Sequence, residues 1–158
     1  MPAAITIGGT GPFQFCAAHA GLHNGEFEPL HGHTFTVTLR LHGELDDCGM
    51  LADFQAVKKA LTGAIEPLRR RTLMPAQPPG GHCRTEDGQI FIQCGTKRYS
   101  LPAGDVTLLP MPSTTTESIA AHLLDQVLPQ LRHAPVLLRA ELTLAEAADT
   151  TATVSADL

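Results

Sequence analysis

The stretch that decides the fold runs His31-Gly32-His33-Thr34-Phe35-Thr36-Val37-Thr38-Leu39-Arg40-Leu41-His42. Alternate residues of a β-strand point to opposite faces of a sheet. One face of this stretch carries two histidines and then four apolar side chains, whereas the other carries mainly threonines. The alternation predicts a half-buried strand. Its buried face begins with His31 and His33, and residues 43–49, rich in Asp and Gly, predict a turn after it.

A second strand and a helix are predicted on either side of this strand. Residues 4–19 alternate as a strand or hairpin arm, and His19 closes its apolar face. Asp53 is a suitable N-cap for a helix over about 54–68, because its carboxylate can accept hydrogen bonds from the free amides of the first turn. Apolar residues recur at helical spacing along that segment.

The last third of the chain predicts a second helix and a final strand. Thr114 and Glu117 have the spacing of a capping box, which predicts a helix that begins near Thr114 or Thr115. Pro129 is expected to bend or end this helix. Residues 135–144 alternate as a last strand.

Between the two helices lies an insert of about residues 75–110 that is rich in Pro and Gly. It contains one predicted hairpin, formed by Gln89–Gln93 and Lys97–Leu101. We interpret residues 1–158 as a single domain that includes this insert. The order strand pair, helix, hairpin insert, helix, strand is typical of an α+β domain with an antiparallel sheet.

Composition excludes several classes of protein. The formal net charge is -5 and basic residues form no long run, which argues against a protein that coats nucleic acid. No apolar run approaches the roughly 20 residues that span a bilayer, and the N-terminus lacks the pattern of a secretory signal. The four cysteines are scattered, so we expect reduced thiols in a soluble, cytoplasmic protein.

Three histidines form a candidate metal site. Because His31 and His33 are alternate residues of one strand, both imidazoles can reach the same ion, and Gly32 allows a neighbouring backbone to approach closely. His19 can supply a third nitrogen if the two strands pair. Three neutral imidazoles with an open fourth position are typical of a catalytic zinc site. The alternative is that these histidines are hydrogen-bonded to backbone and bind no metal.

Three ordered motifs carry a resemblance to a known family. They are Phe15-Cys16-Ala17-Ala18-His19, Pro29-Leu30-His31-Gly32-His33-Thr34-Phe35 and Gly49-Met50-Leu51-Ala52-Asp53-Phe54. At these residues, and at Thr115-Thr116-Glu117 and Arg139-Ala140-Glu141, the chain resembles the 6-pyruvoyl-tetrahydropterin synthase/6-carboxytetrahydropterin synthase family. The resemblance covers most of the chain outside residues 75–110.

The resemblance implies a tunnelling fold (T-fold), in which an antiparallel sheet carries two helices on one face. It implies subunits that associate into trimers or hexamers and a lyase reaction on a pterin-like small molecule, in tetrahydropterin or queuosine biosynthesis. It also implies Zn²⁺ on His19, His31 and His33. Glu141 would bind the guanidine-like edge of the pterin, with Thr115 and Thr116 in the same pocket.

Two family elements are absent from this chain. Phe27 stands where the family has its catalytic cysteine, and Arg69 and Arg70 stand where it has an Asp-His pair. The chemistry needs groups that move protons beside the metal, and arginine stays protonated at neutral pH. Ordinary synthase activity is therefore in doubt on the sequence alone.

Other residues could replace the missing groups. The candidates are Glu28 or Glu26, next to Phe27, and the pair His82-Cys83 in the insert. Arg70 and Arg71 could instead bind a phosphate group of the substrate, because guanidinium forks suit phosphate oxygens.

The resemblance thus implies a zinc-dependent lyase that acts on a dihydropterin side chain, and the departures from the family pattern indicate atypical proton-transfer residues. Two alternatives remain open. One is a family member that uses its zinc on a different substrate in a specialised pathway, and the other is a non-catalytic protein that binds zinc or a ligand. A zinc ion with four protein ligands would favour the non-catalytic alternative, since a closed shell leaves no site for substrate.

Overall fold

A computed structural model describes all of residues 1–158. In chain order the elements are β1 (Pro2–Gly8), β2 (Gln14–His19), β3 (Leu22–His23), β4 (Glu26–Phe27), β5 (His31–Glu44), α1 (Phe54–Ile65), β6 (Thr72–Pro75), β7 (His82–Glu86), β8 (Gln89–Cys94), β9 (Lys97–Pro102), β10 (Val106–Leu109), α2 (Thr116–Leu131), β11 (Leu137–Ala147) and β12 (Thr150–Asp157). Short 3₁₀ turns lie at Gly11–Phe13, Glu66–Leu68 and Ala103–Asp105. These elements form the α+β domain that the sequence pattern predicts, with the tunnelling fold that the resemblance implies.

The central strand is β5, which pairs with β2, β1 and β11. As the alternation predicts, its residues Phe35, Val37, Leu39 and Leu41 are fully buried. The strand order of the seven-stranded sheet is β10-β6-β2-β5-β11-β12, and β1 pairs with β5 beyond the end of β2. β5 is therefore hydrogen-bonded directly to three other strands of the sheet that surrounds the histidines.

The sheet is mixed rather than wholly antiparallel. β6 runs parallel to β2, and β10 runs parallel to β6. Parallel neighbours need a crossover connection, and the insert provides it between β6 and β10. The sequence prediction did not include these two short strands. It also did not include β12, which is rich in threonine and alanine and has only partly buried apolar residues.

The two helices pack together on one face of the sheet, over one hydrophobic core. α1 begins as predicted, with the Asp53 carboxylate accepting from Gln55 N at 2.8 Å. α2 is capped by Thr115, whose hydroxyl accepts from Ser118 N, so the capping box predicted at Thr114 is wrong. Pro129 lies inside α2 and does not end it. Neither helix combines the length and the apolar character that crossing a membrane requires.

The insert forms a three-stranded antiparallel sheet, β7-β8-β9, rather than a single hairpin. The predicted hairpin corresponds to β8 and β9 and is confirmed. The sequence did not predict β7, because this strand has almost no apolar side chains and is mostly exposed. One face of this small sheet packs on a second hydrophobic cluster formed by Ala20, Phe27, Met74, Ile92 and Cys94. The insert is thus anchored next to β3 and β4.

Candidate active site

The pairing of β2 with β5 brings three histidines together at one end of the sheet. His19 pairs with His31, and Ala17 pairs with His33, so the three imidazoles share the face that the helices cover. One ring nitrogen from each histidine lies within 4.8 Å of the other two. His19 is buried, His33 is half-buried and His31 is exposed. The histidine cluster therefore extends from the hydrophobic core to the protein surface.

The hydrogen bonds of the imidazoles orient their free nitrogens. His19 Nδ1 lies 2.7 Å from the carbonyl oxygen of Thr114, and His31 Nδ1 lies 2.7 Å from that of Pro29. A carbonyl oxygen only accepts, so each Nδ1 must carry a proton, and in the neutral imidazole Nε2 then keeps its lone pair. The buried Nε2 atoms of His19 and His33 have no hydrogen-bond partner. Buried polar atoms without partners are costly, and a bound metal ion would satisfy them.

Burial also keeps His19 neutral. Its pKa is lowered mainly by desolvation, and the hydrogen bond to the carbonyl of Thr114 acts in the opposite direction. The nearby imidazoles of His31 and His33 lower the pKa further. Neutral imidazole is the form that ligates metals. This donor set fits a zinc ion, because three histidine nitrogens leave a fourth position for water or substrate.

Two phenylalanine rings pack beneath the histidine cluster. The Phe35 ring packs edge-on against the imidazoles of His19 and His33, at 5.5 Å between ring centroids in both cases, and stacks on Phe15 at 5.2 Å. Gly32 lies opposite β2, where an added Cβ would come within 3.2 Å of the Ala17 carbonyl oxygen. The close approach expected at this glycine is present.

His19 lines a cavity of about 270 Å³. The polar residues around this cavity include Glu28, Thr115, Thr116 and Glu146. Glu28 Oε1 accepts a hydrogen bond of 2.7 Å from Gly21 N, and its negative charge acts on His19 by raising the pKa of that imidazole. Three carboxylates, those of Glu28, Glu117 and Glu146, and the threonines at the start of α2 thus surround one space beside the histidine cluster.

Glu146 is the residue that the sequence reasoning missed. Its Oε2 lies 4.0 Å from His33 Nε2 and accepts a hydrogen bond from the Thr116 hydroxyl. The sequence did contain an indication of this position. Alternation places Glu146 on the same face of its strand as Leu142 and Leu144, just as it places His31 and His33 on the buried face of β5. The strand register shifts between Ala145 and Ala147, and such bulges can redirect a side chain.

Glu141 occupies the opposite face of β11 and is not among the residues that line the cavity. Its carboxylate accepts a hydrogen bond of 3.0 Å from Arg139 and lies 3.3 Å from His42 Nε2. Arg139, followed by His42, lowers the pKa of the Glu141 carboxyl. The carboxylate is therefore engaged with its neighbours on the sheet rather than directed at the histidine cluster.

The other candidate proton-transfer residues lie in or against the insert. The Glu26 carboxylate accepts hydrogen bonds from the backbone and hydroxyl of Thr96, which lower the pKa of Glu26. His82 and Cys83 belong to β7, and burial raises the pKa of the Cys83 thiol. None of the three lines the cavity beside His19.

The three consecutive arginines have different surroundings. Arg69 donates to the carbonyl oxygens of Gln14 and Pro12 and pairs with Glu66. The side chains of Arg70 and Arg71 have no partners and line a second cavity of about 540 Å³, which His33 also borders. The backbone φ of Arg70 is +58°, a conformation that is uncommon outside glycine.

Comparison with known proteins places this geometry in context. Plasmodium falciparum 6-pyruvoyl tetrahydropterin synthase has a similar structure, with a TM-score of 0.91, 25% identity and 99% of each chain covered. A variant of the Plasmodium vivax enzyme, in which a catalytic glutamate is replaced by alanine, gives a TM-score of 0.88 at 25% identity, covering 100% of this chain and 99% of the other.

Sequence comparison gives the same family. A Methanocaldococcus jannaschii protein, provisionally named a 6-carboxy-5,6,7,8-tetrahydropterin synthase, is 28% identical over 121 residues, which are 76% of this chain and 74% of the relative. The model of the 6-pyruvoyl tetrahydropterin synthase family matches residues 10–157, nearly the whole chain. On this match, this chain belongs to the 6-pyruvoyl tetrahydropterin synthase family.

Proposed function

We propose that this chain is a zinc-dependent lyase that acts on the side chain of a dihydropterin, such as a phosphorylated dihydroneopterin. The observation that carries the proposal is the position of the histidine cluster, whose His19 lines a cavity that also contains Glu28 and Glu146. Membership of a family of pterin synthases supports the substrate class. His19, His31 and His33 would hold the zinc ion through their Nε2 atoms.

The zinc ion and Glu28 have separate proposed roles at this cavity. Zinc, when bound, would supply a Lewis acid that polarises an oxygen of the substrate side chain. Glu28 would act as the base that takes a proton from that side chain. Only its Oε1 is engaged by the protein, through Gly21 N, so Oε2 is available. The catalytic glutamate of the Plasmodium vivax enzyme supports a carboxylate in this role.

We assign the pterin-binding carboxylate to Glu146 rather than to Glu141. A carboxylate can accept two parallel N–H bonds from a guanidine-like edge, and Glu146 lies in the cavity beside Thr115 and Thr116. The Thr116 hydroxyl donates to Glu146 and so orients it. Glu141 is already held by Arg139.

The Glu146→Gln substitution is expected to weaken binding of 7,8-dihydroneopterin by roughly 10- to 100-fold, the range for hydrogen bonds to a charged group. Calorimetric titration of the zinc-loaded protein measures the dissociation constant. Glu141→Gln is the matched control on the same strand and should leave the constant unchanged. A larger loss from Glu141→Gln than from Glu146→Gln would reverse the assignment.

The proposed phosphate site consists of Arg70 and Arg71. Both guanidinium groups are free of protein partners and line the cavity that His33 borders, so they can bind a phosphate group there. Arg70 N donates to Cys16 O at 2.7 Å, and Ala18 N donates to Arg71 O at 2.9 Å. These two backbone bonds hold the arginine segment firmly against β2.

Replacing Arg70 and Arg71 together by glutamine is expected to weaken binding of dihydroneopterin triphosphate by at least about 10-fold, because charge-assisted hydrogen bonds are lost. Binding of unphosphorylated dihydroneopterin should be unaffected. Arg132→Gln, at the exposed end of α2, is the control. An equal loss for both ligands would contradict phosphate recognition by these arginines.

We also propose that the chain self-associates, into a trimer or hexamer. β10 and β12 are the outer strands of the seven-stranded sheet. Each presents a row of unpaired backbone groups, and such edges can pair with another chain. Sedimentation equilibrium at micromolar concentration tests this proposal, and a monomer would contradict it.

A cytoplasmic location is proposed on the chemistry of the cysteines. Cys16, Cys48, Cys83 and Cys94 are all free. Reduced thiols persist in the cytosol, whereas oxidising compartments favour disulfides. Fractionation of cells that produce the protein would test the location, and recovery of the protein outside the cytosol would contradict it.

The enzymatic proposal is tested by incubating the zinc-loaded protein with 7,8-dihydroneopterin triphosphate and analysing the products by mass spectrometry. A product that lacks the triphosphate or the side chain supports a pterin lyase. Unchanged substrate despite bound zinc would contradict it. That result would favour a family member repurposed for another substrate, or a non-catalytic protein that binds zinc or a ligand.

A further inference from the structure

Glu28 is held at the cavity by a very small hairpin. β3 and β4 contain two residues each, and the turn residues Asn24 and Gly25 both have positive φ, as a two-residue hairpin turn of type I′ requires. Next to the last pair of this hairpin, Glu28 N donates to Gly21 O at 2.9 Å, and Gly21 N donates to the Glu28 carboxylate. An isolated two-stranded hairpin is marginally stable in water. The position of Glu28 therefore depends on what supports the hairpin.

An apolar contact with the insert supports the hairpin through Phe27. This side chain is 2% exposed and packs in one cluster with Met74, Ile92 and Cys94. Its ring centroid lies 5.7 Å from that of Tyr99. With Ala20 of the same cluster, three of these five neighbours belong to β8 and β9, so the insert supplies most of the apolar residues around the side chain directly before Glu28.

Polar contacts with the insert hold the residues on the other side of Phe27. The Glu26 carboxylate accepts from Thr96 N at 3.0 Å and from the Thr96 hydroxyl. The Cys94 thiol donates to the carbonyl oxygen of Gly25 at 3.4 Å. The β8–β9 turn is therefore joined to the β3–β4 hairpin by both side-chain and backbone groups.

The fit between these two turns leaves no room for a side chain at Gly95. A Cβ there would lie 2.7 Å from Glu26 Cγ and 3.1 Å from Gly25 O. Gly88, in the β7–β8 turn of the same insert, has a similar positive φ of +75° but would place its Cβ in open space. The close approach is thus a property of the turn that contacts the hairpin and not of the insert in general.

We propose that the insert is a positioning element for Glu28, in which Gly95 and Thr96 hold the β3–β4 hairpin so that the carboxylate faces the cavity. This inference rests on the proposed role of Glu28 as the base. It assigns a role to the segment between the helices and to the phenylalanine at position 27. A misplacement of about 1 Å in a reacting group can lower a rate on the order of 100-fold, so loosening this contact should slow turnover.

The test compares Gly95→Ala and Thr96→Val with Gly88→Ala and Thr85→Val in the zinc-loaded, full-length protein. The second pair makes the same chemical changes in the insert, away from the hairpin. Gly95→Ala and Thr96→Val are expected to lower kcat by about 10- to 100-fold with KM and zinc content unchanged. Thr96→Ser, which keeps the hydroxyl, should restore kcat. Hydrogen exchange of the Gly21 amide should be faster than in the parent protein in Gly95→Ala and Thr96→Val only.

The outcomes separate this inference from the proposed function. Equal kcat and equal Gly21 exchange in all four variants would overturn the positioning role. Faster Gly21 exchange together with lower kcat in the first pair supports it. If Glu28→Gln itself keeps the parent kcat, the role of Glu28 as base is overturned, and the positioning proposal is overturned with it. The Gly21 amide would still report whether the insert holds the hairpin.

Discussion

Replacing Glu28 with glutamine is expected to lower kcat by about 100- to 10,000-fold, the usual contribution of a general acid or base. Glutamine has nearly the same shape and its oxygen can still accept from Gly21 N, so the hairpin and cavity should be retained. It cannot take up a proton, because an amide is not basic at neutral pH. Steady-state kinetics with dihydroneopterin triphosphate, together with zinc analysis, measures the effect.

Two comparisons make the Glu28 result specific. Glu86→Gln changes an exposed glutamate that pairs with Arg84 on the insert, and it should leave kcat unchanged. Zinc content and the dissociation constant for dihydroneopterin should be the same in both variants. A Glu28→Gln protein that binds zinc and turns over at the parent rate would eliminate this carboxylate as the base.

Replacing His31 with alanine is expected to weaken zinc binding by more than about 100-fold. Loss of a residue that only supports a ligand typically costs 10- to 100-fold in metal affinity, and loss of a ligand should cost more. His31 is the most suitable of the three positions, because its side chain is exposed and its removal leaves no cavity in the core. Competition with a chelator of known affinity measures the change in the zinc dissociation constant.

The matched control for the metal site is His133→Ala. His133 is an exposed histidine just beyond the end of α2, and it should not affect zinc binding. Thermal unfolding of both apoproteins should show similar stability, because neither side chain is buried. Zinc affinity equal to that of the parent in His31→Ala would refute this residue as a ligand.

The position of the histidines on the sheet followed from a local pattern. Alternation over residues 31–42 places His31 and His33 on the face that carries Phe35, and the structure has them there. The Asp53 N-cap was likewise predictable from the sequence, because its carboxylate accepts a hydrogen bond from a backbone amide only two residues away. Patterns that depend on neighbours in the chain are visible without the fold.

The carboxylates of the site illustrate what the local pattern left open. Glu141 and Glu146 lie on the same strand, and both are polar residues within alternating sequence. Alternation places them on opposite faces of β11, and the position of Glu146 relative to the cluster is set by the register of β11 on β5 and by the bulge before Ala147. Those features depend on a strand that is distant in sequence. The resemblance alone led to Glu141, whereas the geometry favours Glu146.

By itself, the sequence determined the central strand, the two helices and the face on which the histidines lie, because side-chain periodicity and helix capping act over a few residues. Only the tertiary structure decided which residues distant in sequence come together around the site. The His19 bond to Thr114, the Thr116 bond to Glu146 and the Thr96 bonds to Glu26 join residues that are 95, 30 and 70 positions apart. No local preference encodes such pairs, because they form only when packing of the sheet, α2 and the insert brings their elements together.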